Sequence, residues 1–195
     1  KPFMGYINYA QKGKAPSESS KDDLLSIITD LQAEFIADKG AHFVFGKALE
    51  SLLKITRSEY GFIGEILKSN EGDPYLQTQA ITNIAWDSDT QAFYRQNAPS
   101  GMAFYNLETL FGHTIKTGET VIANEPANHP SRGGLPEGHP PLNHYLGIPL
   151  HLGNQFVGMA GIANRPGGYS ESQLSELKPL INTLATLIAA YHQDQ

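Results

Sequence analysis

Apolar residues recur at helical spacing near both ends of the chain. Near the amino end they alternate at intervals of four and three residues, at Leu24, Ile28, Leu31 and Phe35. Near the carboxyl end the same alternation runs through Leu174, Leu177, Ile181, Leu184, Ile188 and Tyr191. Both patterns predict helices with a heptad-like seam. A Ser20–Asp23 capping pattern begins the first helix, and Pro179 is expected to bend the second.

The segments between these helices alternate between strand and helix patterns. A second amphipathic helix is predicted from about His42 to Arg57, followed by a strand pair, 60–67 and 75–85. Two short helices, 88–97 and 107–117, precede a short strand at 120–124, with Asn106 as the expected cap of the second. Strands 145–152 and 155–163 flank Gly153-Asn154, a two-residue hairpin turn. Gly158 and Gly161 indicate close approach of a helix or a ligand to the backbone.

This order of elements predicts an α+β fold. We expect a central antiparallel sheet of about five to six strands, because most strands are joined by hairpins. The N- and C-terminal helices pack on one face. The short helices and a long Pro/Gly loop cover the other face, which leaves room for a pocket between them and the sheet.

The segment 124–149 is the least regular part of the chain. Five of the twelve prolines lie between Pro126 and Pro141, with three glycines among them, so helix and strand are not expected there. A gap of about 20 residues without secondary structure is typical of a functional loop. The loop is also rich in hydrogen-bonding side chains: Asn124, Asn128, His129, Arg132, His139 and Asn143. We interpret it as one wall of a binding site.

Composition excludes several classes of protein. A net charge of −6 without a basic cluster argues against a nucleic-acid surface. No apolar run approaches the roughly 18 residues of a membrane span. The absence of cysteine excludes disulfides, thiolate catalysis, cysteine-bound zinc and thioether attachment of a chromophore. We expect a cytoplasmic domain, and the first residue, Lys1, suggests a fragment of a longer protein.

No motif of catalysis or metal binding stands out. His129, His139, His144 and His151 are ten, five and seven residues apart, which matches no compact metal motif. There is no Gly-x-Ser-x-Gly elbow, and neither Gly133-Gly134 nor Gly167-Gly168 lies in a phosphate-binding loop. We therefore predict neither an enzyme nor a metal site.

Six runs of the chain are distinctive: 60–65 (YGFIGE), 80–86 (AITNIAW), 110–112 (LFG), 121–124 (VIAN), 132–143 (RGGLPEGHPPLN) and 161–169 (GIANRPGGY). Together they resemble the GAF domain, a small-molecule-sensing module of signalling proteins. They look like the bacterial subgroup found beside PAS, diguanylate cyclase and histidine kinase modules. The resemblance covers about residues 22–192. We expect a linker arm at 1–20, a sensor domain at 21–192, and a tail at 193–195 leading toward a further module.

The resemblance implies a regulatory domain that binds a ligand without a covalent bond. The cysteines that hold bilins in phytochromes, or catalyse methionine sulfoxide reduction in related enzymes, are absent, and the cofactor is unknown. Cyclic nucleotides stay open as ligands. The predicted ligand-binding aromatic residues are Trp86, Phe104 and Phe111, beside the loop residues above. Arg132 either binds an anionic ligand, is solvated, or pairs with Glu137.

The seams of the terminal helices allow two interpretations. They pack on the sheet and on each other, or they form a homodimer whose helices continue into neighbouring modules. We favour the dimer, with a seam of Leu24, Ile28, Leu31, Leu177, Ile181, Leu184 and Ile188. The leading functional hypothesis is a ligand sensor. A ligand-free dimerisation or spacer module and a small-molecule enzyme are the alternatives.

Overall fold

The computed structural model describes residues 21–82, 88–97, 100–135 and 139–193. The helices are α1 (Lys21–Ile36), α2 (Ala41–Thr56), α3 (Ser88–Asn97), α4 (Leu110–Thr117), α5 (Glu171–Glu176) and α6 (Lys178–Gln193). The strands are β1 (Tyr60–Lys68), β2 (Pro74–Ile81), β3 (Ala103–Phe104), β4 (Val121–Ala123), β5 (Tyr145–Leu152) and β6 (Gln155–Ala163).

The six strands form one antiparallel sheet in the order β3-β2-β1-β6-β5-β4. The chain first builds one half of the sheet, β1 to β3, and then the other half, β4 to β6. The two halves join where β1 pairs with β6, from Tyr60 opposite Ala163 to Glu65 opposite Gly158. This arrangement confirms the predicted α+β fold.

One face of the sheet is covered by α2 and α6, and α1 packs on these two helices. Alternate residues of β5 (Leu146, Ile148 and Leu150) point to this face and are almost fully buried. Phe45 of α2 and Leu180 of α6 are fully buried opposite them. At Gly158 a helix and the neighbouring strand both approach closely, because a Cβ there would meet Ile188 of α6 at 2.6 Å and would collide with the carbonyl oxygen of Gly64 on β1.

The heptad-like seams contribute to this same core. Four of the seven seam residues, Leu31, Leu177, Leu184 and Ile188, are buried within the chain. The other three, Leu24, Ile28 and Ile181, are partly buried against the same cluster. The terminal helices thus pack on each other, and α6 also packs on the sheet. A dimer through these helices stays a prediction.

The sequence predicts one bent helix at the carboxyl end, and the structure differs. It is two helices, because α5 ends at Glu176 and α6 begins at Lys178. Pro179 then lies in the first turn of α6, where its missing N–H group breaks no helical hydrogen bond. The Ser170 capping box is present, with the Ser170 hydroxyl accepting from Gln173 N and the Gln173 side chain accepting from Ser170 N.

Three smaller predictions around α4 are also corrected. The helix begins at Leu110 rather than Leu107, and Thr109 is its cap, with Oγ1 accepting from Gly112 N at 3.1 Å. Asn106 instead caps the preceding turn by accepting from Glu108 N. The edge strand β3 was not predicted, because two residues carry no periodicity. A short 3-10 helix, Pro126–Asn128, interrupts the loop predicted to lack helix.

Several sequence predictions fall outside the described residues. They concern the arm at 1–20 with its Ser20 cap, the aromatic side chain of Trp86, the pairing partner Glu137, and the last two residues of the tail. Within the described part of the chain, no helix is both long and apolar enough to cross a membrane.

Candidate ligand-binding site

A cavity of about 980 Å³ lies on the face of the sheet opposite α1, α2 and α6. Its lining is predominantly apolar and comes from β1, β2, α3, α4, β5, β6 and the loop before β5. The volume is at the upper end of the range of roughly 300–1,000 Å³ that is typical of small-molecule sites. The sheet therefore has one filled face and one open face.

Aromatic side chains form much of the cavity. Tyr60 and Phe62 alternate with the core residue Ile63 along β1, so they point to the opposite face. Phe111 of α4 meets Phe62 edge-on at a centroid distance of 6.2 Å and Phe104 at 5.9 Å. These three phenylalanines give the cavity a wall of ring faces and edges, which suits an apolar or planar ligand.

Gly161 lets the aromatic wall lie close to the sheet. A Cβ at this position would collide with the ring of Phe62, so the ring rests directly on the β6 backbone. The predicted close approach at Gly161 is therefore that of a neighbouring side chain.

The Pro/Gly loop forms a further wall and is held to α4. Ser131 Oγ and His113 Nδ1 of α4 are 3.1 Å apart, and Ser131 N donates to His129 Nδ1 at 3.1 Å. Gly133 lies against the backbone of Glu108 so closely that a Cβ would collide with its carbonyl oxygen. The loop is thus fixed at its middle by hydrogen bonds and by one glycine contact.

Asn164 fixes the other end of this loop. Its φ of 62° is left-handed, and its side chain is buried. Oδ1 accepts from Asn143 N at 2.8 Å and His144 N at 3.3 Å, while Nδ2 donates to Pro141 O at 2.8 Å and Glu59 Oε2 at 3.0 Å. One amide side chain thereby ties the loop to the sheet. The sequence indicated this residue only as a member of the GIANRPGGY run.

Three tyrosines of this region have a raised pKa. Burial raises the pKa of Tyr145 far above its usual value, with a smaller contribution from Tyr169. Burial also raises the pKa of Tyr169 to about 12, and that of Tyr94 above its usual range. None of these phenols is a base near neutral pH.

Two buried hydroxyls lack a hydrogen-bond partner among the described residues. They are Thr114 Oγ1 and Tyr145 Oη. Both lie beside Gly147, where an added Cβ would be 2.9 Å from the first and 3.0 Å from the second. The junction of α4 and β5 is therefore packed to its limit, in contrast to the adjoining cavity.

The predicted ligand-binding residues separate into two groups. Phe104, Phe111, Arg132 and His139 line the cavity. Asn124, Asn128, His129 and Asn143 do not, and three of them have other hydrogen bonds. The Asn124 side chain bonds both N and O of Tyr169, Asn128 bonds Glu125, and His129 accepts from Ser131 N.

Several cavity residues were missed by the sequence analysis. The most prominent are Tyr60, Phe62, Tyr94, Leu142 and Tyr145. Period-two alternation in β1 already separates Tyr60 and Phe62 from Ile63, so it was available as a signal for those two. No local pattern marks Tyr94 or Leu142, because only the tertiary fold brings α3 and the loop over the sheet.

The site contains no recognisable catalytic machinery within the described residues. The Ser131–His113 contact resembles a nucleophile and a base, but neither residue lines the cavity, and no described carboxylate orients the imidazole. In the part of the chain that the structure describes, no group of three potential ligands is placed to hold a metal ion. What the cavity offers is shape and apolar surface.

The comparison with protein families agrees with this geometry. The model of the GAF domain family matches residues 42–189, and the chain belongs to this family. A GAF domain of a phosphoenolpyruvate-protein phosphotransferase from Coxiella burnetii is 17% identical, with a TM-score of 0.68 over 90% of this chain and 98% of that one. The phycocyanobilin-bound GAF domain of a cyanobacterial phytochrome is 14% identical, with a TM-score of 0.56 over 88% and 97%.

A curated relative gives a coarse indication of function. The methyl sulfide methyltransferase-associated sensor of Methanosarcina acetivorans is 32% identical over 80 residues, which are 40% of this chain. The chain spans only 8% of that protein's length. The family and the sensor relative together support a signalling or sensing domain.

Proposed function

We propose that this GAF domain is a sensor that binds a large, predominantly apolar small molecule without a covalent bond. The observation that carries the proposal is the open cavity of about 980 Å³ on a sheet whose other face is fully packed. A spacer module has no need for this volume, which leaves apolar side chains without packing partners. The cytoplasmic location and bacterial origin expected from the sequence stay predictions.

The proposed signal passes from the cavity through β1 to α6. At its start β1 contributes Tyr60 and Phe62 to the cavity, and further along Glu65 contacts the last turn of α6. Glu65 Oε1 lies 2.6 Å from His192 Nδ1. A shift of β1 on ligand binding would therefore move the end of the chain's last helix, provided that the ligand binds the two states with different affinity.

Aromatic contacts extend this connection to the first helix. Tyr191 lies edge-on to Phe35 of α1 at a centroid distance of 5.1 Å and donates to Lys39 O at 2.5 Å. The end of α6 is thus held to both α1 and β1. The proposed ligand contacts β1, β1 contacts α6, and α6 contacts α1. Such a connection from the cavity to the terminal helices suits a domain placed between other modules.

Binding of the neutral fluorescent probe N-phenylnaphthylamine tests the cavity. We expect saturable binding, weakened about tenfold or more in Leu142→Trp, because the indole fills part of the cavity. Leu25→Trp is the matched control, since Leu25 is 64% exposed on α1. Equal affinity of the two variants would place the probe elsewhere and refute the proposed site.

Hydrogen exchange with and without the probe tests the transmission. In the wild type we expect the probe to alter the protection of backbone amides in β1 and in the last turn of α6. In His192→Ala the change in α6 should be smaller, while the change in β1 should remain. If saturating probe changes protection only around the cavity, the proposed route to the terminal helices is wrong.

The predicted homodimer cannot be tested by substituting the seam residues, because they also belong to the core of one chain. Leu184→Glu would place a charge in the core of one chain and unfold it. Leu25 and Ile36 are 64% and 81% exposed, so Leu25→Glu and Ile36→Glu leave that core intact. Sedimentation of these variants should show dissociation if α1 forms the interface, and unchanged mass would refute an interface through this face of α1.

A further inference from the structure

Apart from that of Tyr145, which lies beside Gly147 and lacks a partner among the described residues, the hydroxyl groups around the cavity already have partners in the protein. Three of them donate to backbone carbonyls: those of Tyr60, Thr82 and Tyr94, which bond Pro141, Gly61 and Ile81. The hydroxyl of Thr109 accepts from Gly112 N as the cap of α4. All four hydroxyls donate their one hydrogen within the protein, that of Thr109 to Asn106 O, so none of them has a donor left for an anionic group of a ligand.

Arg132 differs from these groups because most of its donors are uncommitted. A guanidinium carries five N–H donors, and the described contacts use one, from Nη1 to Ala127 O at 2.5 Å. That bond holds the exposed side chain to its own loop, beside Gly133 and Gly134 at the cavity wall. The three ion pairs among the described residues do not involve it.

His139 adds a second polar group on the same loop. Its Nδ1 lies 2.8 Å from Pro140 O, and since a carbonyl only accepts, Nδ1 carries the proton. Nε2 is then the nitrogen open to a ligand, as an acceptor in the neutral ring and as a donor in the imidazolium. The ring is held edge-on to Tyr60, with centroids 5.7 Å apart.

We propose that the ligand is an amphipathic anion whose apolar body fills the cavity and whose single anionic group is bound by Arg132. This inference rests on the proposed sensor function and specifies its ligand class. A planar guanidinium held in place by its own loop binds a carboxylate or a similar oxyanion through two parallel hydrogen bonds. His139 Nε2 is placed to contact a neighbouring polar atom of the same ligand.

Two fluorescent probes with the same ring skeleton test the proposal. N-phenylnaphthylamine is neutral, and anilinonaphthalene sulfonate adds one anionic group. We expect Arg132→Gln to lower the affinity for the sulfonate about tenfold, because the charge-assisted hydrogen bonds to the sulfonate are lost. The affinity for the neutral probe should change by less than about twofold. Arg132→Lys should restore only part of the affinity, because an ammonium group keeps the charge without the fork.

The control variant is Lys68→Gln, which removes the same charge at the far end of β1 from the cavity. It should leave both probes unchanged. If Arg132→Gln weakens neither probe, or weakens both equally, the anionic ligand class is refuted while the proposed sensor function stands. If neither probe binds the wild type, the proposed function fails and this inference fails with it.

Discussion

The two faces of the sheet are built on opposite principles. On the helix face, α1, α2 and α6 bury a continuous cluster of side chains, with Phe45, Leu146 and Leu180 almost or wholly inaccessible. On the cavity face, α4 packs on the sheet in two smaller clusters, around Met159 and around Tyr145, and α3, α4 and the loop enclose open volume beside them. The larger packed core therefore lies on one face, while the other keeps space for a ligand.

The largest expected difference in the free energy of unfolding is between two leucine-to-alanine variants, one on each face of the sheet. Leu180→Ala should destabilise the fold by roughly 2–5 kcal/mol, because it opens a hole in a packed core. Leu142→Ala at the cavity should cost about 1 kcal/mol or less, since that side chain is only partly buried. Urea denaturation measures both, and similar losses of stability would contradict the division between the faces.

The second test concerns the hydrogen bonds that hold the cavity face. Asn164→Ala should destabilise the fold by roughly 2–4 kcal/mol, because it leaves the partly buried N–H groups of Asn143 and His144 unpaired and places an alanine in a left-handed conformation. Asn143→Ala is the control, since only the backbone N–H of Asn143 bonds to Asn164. Thermal unfolding should separate the two variants, and equal midpoints would show that Asn164 does not hold the loop.

The third test sharpens the boundary between the cavity and the packed junction beside it. Gly147→Ala should cost roughly 1–3 kcal/mol, because its Cβ would press on Thr114 Oγ1 and Tyr145 Oη. Gly46→Ala in α2 has open space around its Cβ and should instead stabilise the helix by about 0.5–1 kcal/mol. Chemical denaturation of both variants gives the signs, and a neutral Gly147→Ala would mean that the junction relaxes easily.

The smallest expected effect concerns Glu65, the buried carboxyl on the helix face. Burial raises its pKa above the usual value and outweighs the opposing effect of His192. The folded state therefore retains a proton that the unfolded state releases, and the stability associated with it falls as pH rises through the folded-state pKa. Stability of the wild type relative to Glu65→Gln should be greatest near about pH 4 and decline toward about pH 7.

Denaturation curves at several pH values measure this difference. Glu71→Gln, in the exposed turn between β1 and β2, is the control and should show no such trend. A gap between wild type and Glu65→Gln that widens in favour of the wild type with rising pH would contradict the assigned direction of the pKa shift.

The contrast between the faces also explains which predictions succeeded. Leu146, Ile148 and Leu150 alternate in the sequence, and the face that they define is the packed one. The hairpin at Gly153 follows from a glycine with φ of +59° in a two-residue turn. These features are local, so a short window of sequence was enough to predict them.

The cavity was predictable only in part. Phe104, Phe111, Arg132 and His139 line one cavity, and their contact with a ligand stays a prediction, whereas the side chains of Asn124 and Asn128 bond neighbouring segments. A polar loop side chain looks the same in the sequence whether it contacts a ligand or a backbone 45 residues away. Which of the two occurs depends on the docking of distant segments.

Residue type and spacing along the chain are enough to predict the periodic elements, the antiparallel α+β fold and the absence of cysteine chemistry. They do not predict that the heptad seams pack within one chain, that Asn164 organises the loop, or that one sheet face keeps a cavity. Those outcomes depend on which surfaces meet across long sequence separations, as when β1 pairs with β6 and carries Tyr60 beside the loop at Pro141.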